Sequence, residues 1–395
     1  MKIDKTIYLD HQATTPLDQH VLAKMAPYYG DLFGNPHSSD HSLGWESARA
    51  IEEATAQVAQ LIGADPDEII FTSGATESNN MALLGLGRRA AGGSRHRVLV
   101  SAIEHKCVLA SARVLQEQHE FTIERIPVDR QGRVELSALD NMLNEDVLAV
   151  SVMAVNNEIG TIQDIEKISD YAHRYGAIFH CDAAQAPLAM PIDAIATQVD
   201  ILSLSGHKMY GPKGIGIIFI ARDQQDQIEP LIYGGGQQNG LRCGTLPVPL
   251  CVGMGAAAEL LIGEDAGEKR EDLHHRRDVF VRRLREMDWP ISLIGPEGEA
   301  RHPGNANICF LGLSAHEILG TLQPRLAAST GSACTSGLPE PSHVLRAIGL
   351  DSDDAEACVR FSLGFGTTDE DVERSIGLIE EVLAKLSKTE LACST

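Results

Sequence analysis

Short apolar runs alternate with helical patterns over the first 260 residues or so, and this alternation limits the chain to few folds. Runs with strand character lie at 68–72, 97–101, 148–153, 177–180, 200–204 and 215–220. Helical patterns lie between them, for example at 44–62 and 164–175. Strands that alternate with helices are typical of a mostly parallel sheet flanked by helices. We therefore predict an α/β fold.

The pattern changes after residue 261. A charged helical run at 269–287 ends at Trp289 and Pro290, and shorter helix and strand patterns follow. With 395 residues the chain is too long for one ordinary core. We predict a large domain at 16–260 and a smaller α+β domain formed by 1–15 together with 261–395.

Composition excludes several classes of protein. The net charge of −22 argues against direct nucleic-acid binding, which requires clustered Lys and Arg. No apolar run approaches the roughly 18 residues that span a bilayer, and the N-terminus has no signal-peptide core. The eight cysteines show no Cys-x-x-Cys spacing, so we expect neither a zinc site nor a disulfide framework. The cytoplasm, a reducing compartment, is the simplest location.

Lys208 stands where the run at 200–204 gives way to a glycine-rich turn. A desolvated lysine loses part of its preference for the ammonium form, so its amine can attack a carbonyl; the other interpretation is a solvent-exposed strand end. Asp182 follows the run at 177–180, and an aspartate there can keep a pyridine nitrogen protonated. Because both residues end strands of one predicted sheet, the pair favours a Schiff-base lysine that carries pyridoxal phosphate.

Other polar residues follow strand-like runs in the same way. The segment 72–80 opens a helix with small residues, which suits an anion, although an ordinary capped turn has the same pattern. His105 follows the run at 97–101 and could stack on a planar cofactor and transfer protons. Asn157 follows the run at 148–153. Ligands of open α/β sheets bind beyond the carboxyl ends of the strands, so we expect these residues to converge.

Two residues of the predicted smaller domain are candidates for a chemical role. Cys334 lies among small residues, which suits a thiol that must move and react, whereas Cys181 and Cys309 lie among apolar residues typical of buried cysteines. Arg360 lies inside a strand-like run, where a guanidinium could grip a carboxylate or form a partly buried salt bridge. Both alternatives stay open at this point.

Taken together, these segments resemble the cysteine desulfurases of the NifS/IscS-like type, in the class V aminotransferase group of fold-type I pyridoxal-phosphate enzymes. The likeness runs almost from end to end of the chain. It is carried by the motifs at 8–16, 34–41, 73–78, 104–106, 155–160, 240–245 and 332–336. The cysteine in Gly331-Ser-Ala-Cys resembles that of the long-loop subgroup.

The resemblance implies a role for each candidate residue. Lys208 would hold the cofactor and move the α-proton of L-cysteine, His105 would stack on the ring and handle protons, and Arg360 would bind the substrate carboxylate. Cys334, on the loop of the smaller domain, would take the sulfur as a persulfide and leave alanine. The remaining residues that the resemblance assigns to the cofactor are Ala75, Thr76, Asn157, Asp182, Gln185, Ser205, His207 and Thr245. Asn157 would also lie near the substrate carboxylate.

The resemblance also implies partners. Thr245 would reach the cofactor phosphate of a second subunit, so we expect a homodimer, and a sulfur-acceptor protein would receive the persulfide. Phe365-Gly366 and Gln238-Asn239 depart from the pattern of many relatives, and Thr395 ends the chain without the tail that some relatives use for docking. These departures leave the acceptor open among iron–sulfur cluster biogenesis, tRNA thiolation, a cofactor and DNA phosphorothioation.

Three alternatives remain. A selenocysteine lyase or an aminotransferase would share Lys208 and Asp182, although Cys334 favours desulfuration. A catalytically silent sulfur-carrier or scaffold protein is a different class of protein, and the joint presence of Lys208, Asp182, His105 and Cys334 argues against it. A metal site at His37 and His41 has the right spacing only on a helix, whereas the surrounding sequence is typical of a loop.

Overall fold

A computed structural model describes residues 6–331 and 342–393 of the protein. Its strands are β1 (Ile7–Tyr8), β2 (Ile69–Thr72), β3 (Arg97–Ser101), β4 (Thr122–Ile126), β5 (Val147–Ser151), β6 (Ile178–Asp182), β7 (Ile201–Ser205), β8 (Gly216–Ile220), β9 (Ile291–Leu293), β10 (Asn305–Phe310), β11 (Leu326–Ala327) and β12 (Cys358–Ser362). Its α-helices are α1 (Gln19–Met25), α2 (Ser42–Leu61), α3 (Ala75–Ala90), α4 (Lys106–His119), α5 (Leu136–Met142), α6 (Ile165–Arg174), α7 (Val248–Glu259), α8 (Glu264–Arg285), α9 (Ala315–Leu322), α10 (His343–Ala347), α11 (Ser352–Glu356) and α12 (Asp369–Cys393).

A seven-stranded sheet in the order β2-β8-β7-β6-β5-β3-β4 forms the centre of the first part of the chain. The strands from β7 to β4 in that order pair in parallel, while β8 runs antiparallel to both of its neighbours. Every residue of β5, β7 and β8 is buried, which explains why these strands read as continuous apolar runs. The predicted α/β fold is confirmed.

The predicted strands occur with ends shifted by a residue or two, and one shift affects the site. The run expected at 148–153 ends as regular strand β5 at Ser151. The backbone N–H of Met153 donates to Glu104 Oε1 at 2.6 Å and so to a side chain, not to a neighbouring strand. Asn157 therefore lies beyond β5, in a turn closed by a bridge between Val155 and Ile162.

Strand β4 is absent from the sequence prediction. It forms the sheet edge beside β3, and only Ile126 of its residues is buried. Since Glu124 and Arg125 break the apolar pattern, the segment lacks the signal of an inner strand.

A second core lies in the C-terminal part and includes the N-terminal strand. Strands β12, β10 and β9 form an antiparallel sheet, and β1 pairs in parallel with β11. The rings of Phe280 and Phe310 pack on Phe361 with centroid distances of 5.3 and 6.4 Å. The separate core and the pairing of residues 7–8 with the C-terminal part support our proposal of a smaller domain made of both ends of the chain. Within the described residues, no helix is long and apolar enough to cross a membrane.

Candidate functional site

A cavity of about 580 Å³ lies where β6 and β7 end, between the central sheet and the second core. We call it the central cavity. The predicted site residues that line it are Ala75, Thr76, His105, Asn157, Asp182, Gln185, Ser205, His207, Lys208 and Arg360. Residues separated by nearly 300 positions in sequence thus meet at one edge of the sheet, as expected for ligand sites of open α/β folds.

Lys208 lies in a 3₁₀ turn (Gly206–Lys208) that follows β7 directly. Its Nζ donates to the backbone carbonyl oxygen of Gln12 and, at 2.9 Å, to that of Ala13. The segment between β1 and α1 therefore helps to hold the half-buried lysine.

Asp182 is the last residue of β6 and is only 4% exposed. Oδ2 accepts from Asn79 Nδ2 at 2.7 Å, and Oδ1 accepts from the backbone N–H of Ala184 at 3.0 Å. Asn79 is fully buried in α3 and holds the carboxylate in one orientation. Sequence reasoning missed Asn79, although it lies one helical turn after Ala75 and therefore on the same face of α3.

His105 does not end β3, which stops at Ser101; it is the N-cap of α4. Its Nδ1 accepts from the backbone N–H of Cys107 at 3.2 Å. Burial lowers the pKa of His105, and the charge of Lys208 lowers it further, while Asp182 opposes this shift. The imidazole is therefore neutral at neutral pH and able to accept a proton.

Cys107 contributes a thiol to the central cavity. Its Sγ lies 3.0 Å from His105 Nδ1 and 3.2 Å from Asn79 Nδ2. Burial and the charge of Asp182 raise the pKa of Cys107 to about 12. Because the thiolate is the reactive form, this cysteine is unsuited to nucleophilic attack at neutral pH.

One end of the central cavity suits an anion. The first N–H groups of α3, at Ala75 and Thr76, have no acceptor within the helix. A Cβ on Gly216 would lie 2.6 Å from the Cα of Gly74, so glycine is needed for this close approach. Ser205 ends β7 beside this helix terminus.

His207 contributes an imidazole near the same end. Its Nδ1 lies 3.1 Å from Thr14 Oγ1. Burial, Lys208 and Lys213 lower the pKa of His207 to about 4, so its ring is neutral at neutral pH. A neutral ring can still donate one hydrogen bond to an anion.

Arg360 lies in β12 and is only 2% exposed. Its Nη2 donates to Asp10 Oδ1 at 2.6 Å and to Ser329 Oγ at 2.9 Å, and its Nη1 donates to the backbone oxygen of Asn157 at 2.7 Å. Nε has no partner among the described residues. Both interpretations from the sequence therefore find support, because Arg360 forms a buried ion pair and also lines the central cavity.

Glu104 is a buried acid beside the site that sequence reasoning also missed. Its Oε1 accepts from Ser101 Oγ at 2.8 Å and from the Met153 N–H, while Oε2 has no partner among the described residues. Burial and the nearby charge of Asp182 raise the pKa of Glu104 to about 8. Its carboxyl group is thus protonated and uncharged at neutral pH.

The structure does not bring every predicted residue to the central cavity. Thr245 is exposed and does not line it, which is compatible with the predicted contact to a second subunit. Cys334 lies outside the described residues. Gly331, the last described residue before that gap, is buried and lines the cavity. Cys181 and Cys309 are buried, as predicted.

The central cavity fits pyridoxal phosphate in the chemistry of its donors. An amine, Lys208, and a fixed carboxylate, Asp182, line one space, and the start of α3 with Ser205 and His207 offers donors for a phosphate. No cluster of three or more His, Cys, Asp or Glu residues suited to a metal ion occurs in the described ranges. His41 is instead the N-cap of α2, where its Nδ1 accepts from the Gly44 N–H at 3.2 Å.

Comparisons with known proteins agree with this architecture. The family model "Aminotransferase class-V" matches residues 7–374. A protein named cysteine desulfurase IscS from Rickettsia akari is 44% identical over 384 residues, which cover 97% of this chain and 92% of that protein. A solved NifS-like protein aligns with a TM-score of 0.89 and 34% identity over 96% of this chain and all (100%) of its own.

A second solved structure, titled SspA in complex with cysteine, aligns with a TM-score of 0.79 and 35% identity. The alignment covers 90% of this chain and 98% of that one. The similarity to these proteins extends over nearly the whole chain, so it includes both the central sheet and the second core.

Proposed function

This chain belongs to the class-V aminotransferase family and is a pyridoxal-phosphate-dependent cysteine desulfurase, and on that premise we propose that the central cavity is its active site. The observation that carries the proposal is the meeting of Lys208 and Asp182, each at the carboxyl end of its own strand, with Arg360 from the second core. The cavity thus combines a nucleophilic amine, a fixed carboxylate and a guanidinium.

We assign the residues that would hold the cofactor from their chemistry. Lys208 would hold it covalently through Nζ, and Asp182 would face its ring nitrogen with Asn79 fixing the carboxylate. Gln185 and Asn157 would lie near the ring oxygen. The residues assigned to the phosphate are Ala75, Thr76, Ser205 and His207, together with Thr245 of a second subunit. When bound, pyridoxal phosphate supplies an electron sink for the pair left on the substrate α-carbon.

The remaining residues bind the substrate and move its protons. Arg360 and Asn157 would bind the carboxylate of L-cysteine, because a guanidinium matches a carboxylate in shape and charge. Lys208 Nζ would take the α-proton. His105, neutral because burial lowers its pKa, can accept and return a proton near the reacting sulfur.

We propose Cys334 as the nucleophile that receives the sulfur. Its thiolate forms an S–S bond to the substrate sulfur while the C–S bond of the substrate breaks. The carbon skeleton takes up a proton and leaves as L-alanine, and Cys334 keeps the sulfur as a persulfide. Cys107 is a poor substitute, since its raised pKa keeps the thiol protonated.

We also propose a homodimer, a reducing compartment such as the cytoplasm, and transfer of the persulfide sulfur to an acceptor protein. The six cysteines whose side chains the structure describes are all free, which fits a reducing environment. The acceptor pathway stays open among iron–sulfur cluster biogenesis, tRNA thiolation, synthesis of a sulfur-containing cofactor and DNA phosphorothioation. Identifying the protein that takes up ³⁵S from the labelled persulfide in native extract would decide among them.

A variant of Cys334 tests the proposed reaction. We expect wild-type protein to release alanine from L-cysteine, whereas an aminotransferase would yield a keto acid. Cys334→Ser should keep the cofactor absorbance and its change on cysteine binding, but should lose alanine release by a factor of a hundred or more, because a hydroxyl is a far poorer nucleophile toward sulfur. The matched control is Cys107→Ser, which should retain turnover. Alanine release by Cys334→Ser at the wild-type rate would exclude Cys334 as the nucleophile.

A further inference from the structure

Gln12 lies beside Lys208, and the NH₂ group of its buried side-chain amide has no acceptor among the described residues. Its backbone oxygen accepts from Lys208 Nζ and, at 2.9 Å, from Gln185 Nε2. Gln12 is one of the residues that line the central cavity, it is only 2% exposed, and its Nε2 has no hydrogen-bond acceptor among the described residues. A buried donor without an acceptor costs free energy and is rare in native proteins. A bound ligand could supply the missing acceptor.

The orientation of this amide follows from its neighbours. A guanidinium only donates, and Arg301 Nη1 donates to Asn305 Oδ1 at 2.6 Å. Asn305 Nδ2 is therefore the donor to Gln12 Oε1, at 2.6 Å, and to the Glu158 carbonyl oxygen, at 3.0 Å. Since Oε1 of Gln12 accepts this hydrogen bond, the NH₂ group is the part of the Gln12 amide that has no partner among the described residues. Amide orientations are normally ambiguous, but this chain of contacts determines one.

Gln12 is also close to the strand of the proposed carboxylate-binding residue. Its backbone N–H donates to Ser362 Oγ at 3.0 Å, and Ser362 lies in β12 with Arg360. Three of the five N–H groups of the Arg360 guanidinium already donate hydrogen bonds within the protein. A carboxylate has two oxygens with about four acceptor positions. Arg360 alone leaves several of them unfilled.

We propose that Gln12 is a further substrate-binding residue whose Nε2 donates to the carboxylate of the amino-acid substrate. Arg301 and Asn305 are positioning residues, because they act only by holding the amide of Gln12 in the donating orientation. The inference rests on the proposed function in one respect, namely that the central cavity binds an α-amino acid.

Binding of two small amines to the protein loaded with pyridoxal phosphate tests the role of Gln12. L-alanine and ethylamine differ only in the carboxylate, and both can be titrated by the change in cofactor absorbance without turnover. Gln12→Ala keeps the backbone oxygen that holds Lys208. We expect it to raise the Kd of L-alanine about tenfold or more, the effect of one hydrogen bond to a charged group. The Kd of ethylamine should stay unchanged.

A pair of asparagines provides the matched control for the positioning role. Asn305 and Asn307 are both fully buried in β10 and both donate to the Glu158 oxygen, at 3.0 and 3.1 Å, but only Asn305 also contacts Gln12. Asn305→Ala should weaken L-alanine binding, and Asn307→Ala should not. Gln12→Ala combined with Asn305→Ala should bind L-alanine no worse than Gln12→Ala alone, because Asn305 acts through Gln12.

If Asn305→Ala no longer binds the cofactor, Gln12→Glu tests instead whether Gln12 Nε2 donates to the carboxylate. It keeps the size of the side chain but puts an oxygen in place of Nε2, so L-alanine should bind even less tightly than to Gln12→Ala. Equal losses for L-alanine and ethylamine, or an unchanged Kd for L-alanine in both Gln12 variants, would overturn the proposal. The titration does not need alanine release from cysteine, so failure of the desulfurase reaction would be seen separately.

Discussion

Glu104 shows how a single buried residue can respond to pH although it does not line the central cavity. Its Oε1 accepts two hydrogen bonds while Oε2 has no partner among the described residues, so no donor in the described ranges stabilises a negative charge on Oε2. The pKa is raised from 4.5 to about 8, mainly by burial and further by Asp182. The folded protein therefore holds a proton that the unfolded chain releases above about pH 4.5.

We predict that Glu104→Gln changes the pH dependence of stability. Because the folded pKa is raised, the contribution of Glu104 is complete below the unfolded pKa of 4.5 and is lost as the pH rises through about 8. Wild-type protein should lose about 1.4 kcal/mol of stability per pH unit across this window that the glutamine variant does not lose. Urea unfolding at pH 5.5, 6.5 and 7.5 measures the difference.

The loss of stability with rising pH distinguishes Glu104 from an ordinary surface acid. Glu124→Gln is the control, since Glu124 lies on the edge strand β4 and pairs with Arg97 at 2.6 Å. We expect the stability of Glu124→Gln relative to wild type not to increase as the pH rises. A Glu104→Gln variant whose stability relative to wild type stayed constant over this range would show that Glu104 is ionised in the folded protein.

At the scale of elements, an ion pair connects the end of α6 to the sheet. His173, in the last turn of α6, places Nε2 at 2.7 Å from Asp200 Oδ2, which also accepts from the Phe179 N–H at 2.7 Å. The hydrogen bond that His173 donates to the Asp200 carboxylate raises the pKa of His173, although burial opposes the shift. The pair joins a helix to the backbone of β6 through one carboxylate.

We predict that His173→Gln destabilises the protein more at pH 6 than at pH 9. The raised pKa means that the stabilisation is present below the unfolded value of 6.5 and is lost as the pH rises through the folded value. The side chain of His173 is 32% exposed, so the loss at pH 6 should be about 0.5–1 kcal/mol. Thermal unfolding at both pH values checks this, with His96→Gln as an exposed control whose Nδ1 lies 3.0 Å from the Ser94 carbonyl oxygen. An equal loss at both pH values would show that the pair is not charged.

The elements show which parts of the site could be predicted from sequence. Apolar runs that end in Asp182 and Lys208 identify strand ends, and strand ends of one sheet lie together, so the central residues could be predicted without a structure. The sequence pattern predicts strand ends at His105 and Asn157, whereas the structure has them in a helix cap and a turn. They still reach the central cavity, because both follow short segments beyond inner strands.

Other parts could not be predicted, because they depend on contacts between distant segments. Gln12 and Asn305 are 293 positions apart and meet only because β10 packs against the segment that follows β1. The pKa of Glu104 depends on complete burial beside Asp182, which no local pattern records. Sequence periodicity predicts strands and helices, whereas such polar contacts require the packed structure.

At the scale of the whole molecule, the surface near Thr245 supports the proposed homodimer. Thr245 is exposed and lies outside the central cavity of its own chain. In the neighbouring segment Tyr233 is 68% and Ile232 is 41% exposed, and exposed large apolar residues in one region are typical of interaction surfaces. A subunit related by two-fold symmetry could cover this region and present Thr245 to the other cavity.

We predict that Thr245 acts on the cofactor of the partner subunit. Thr245→Asp should lose cofactor affinity, because a carboxylate would repel the phosphate, and Lys208→Ala should lack the covalent attachment. In dimers that contain one subunit of each variant, the chain with intact Lys208 would meet an intact Thr245 from its partner. Such mixed dimers, isolated with two different tags, should recover about half of the wild-type alanine release, since one of two sites is complete.

The control is a dimer in which both subunits carry Lys208→Ala and each subunit carries a different tag. This dimer should stay inactive. Mixed dimers with no more activity than either parent would show that Thr245 acts within its own chain, and a monomeric mass by light scattering with full activity would exclude the dimer altogether.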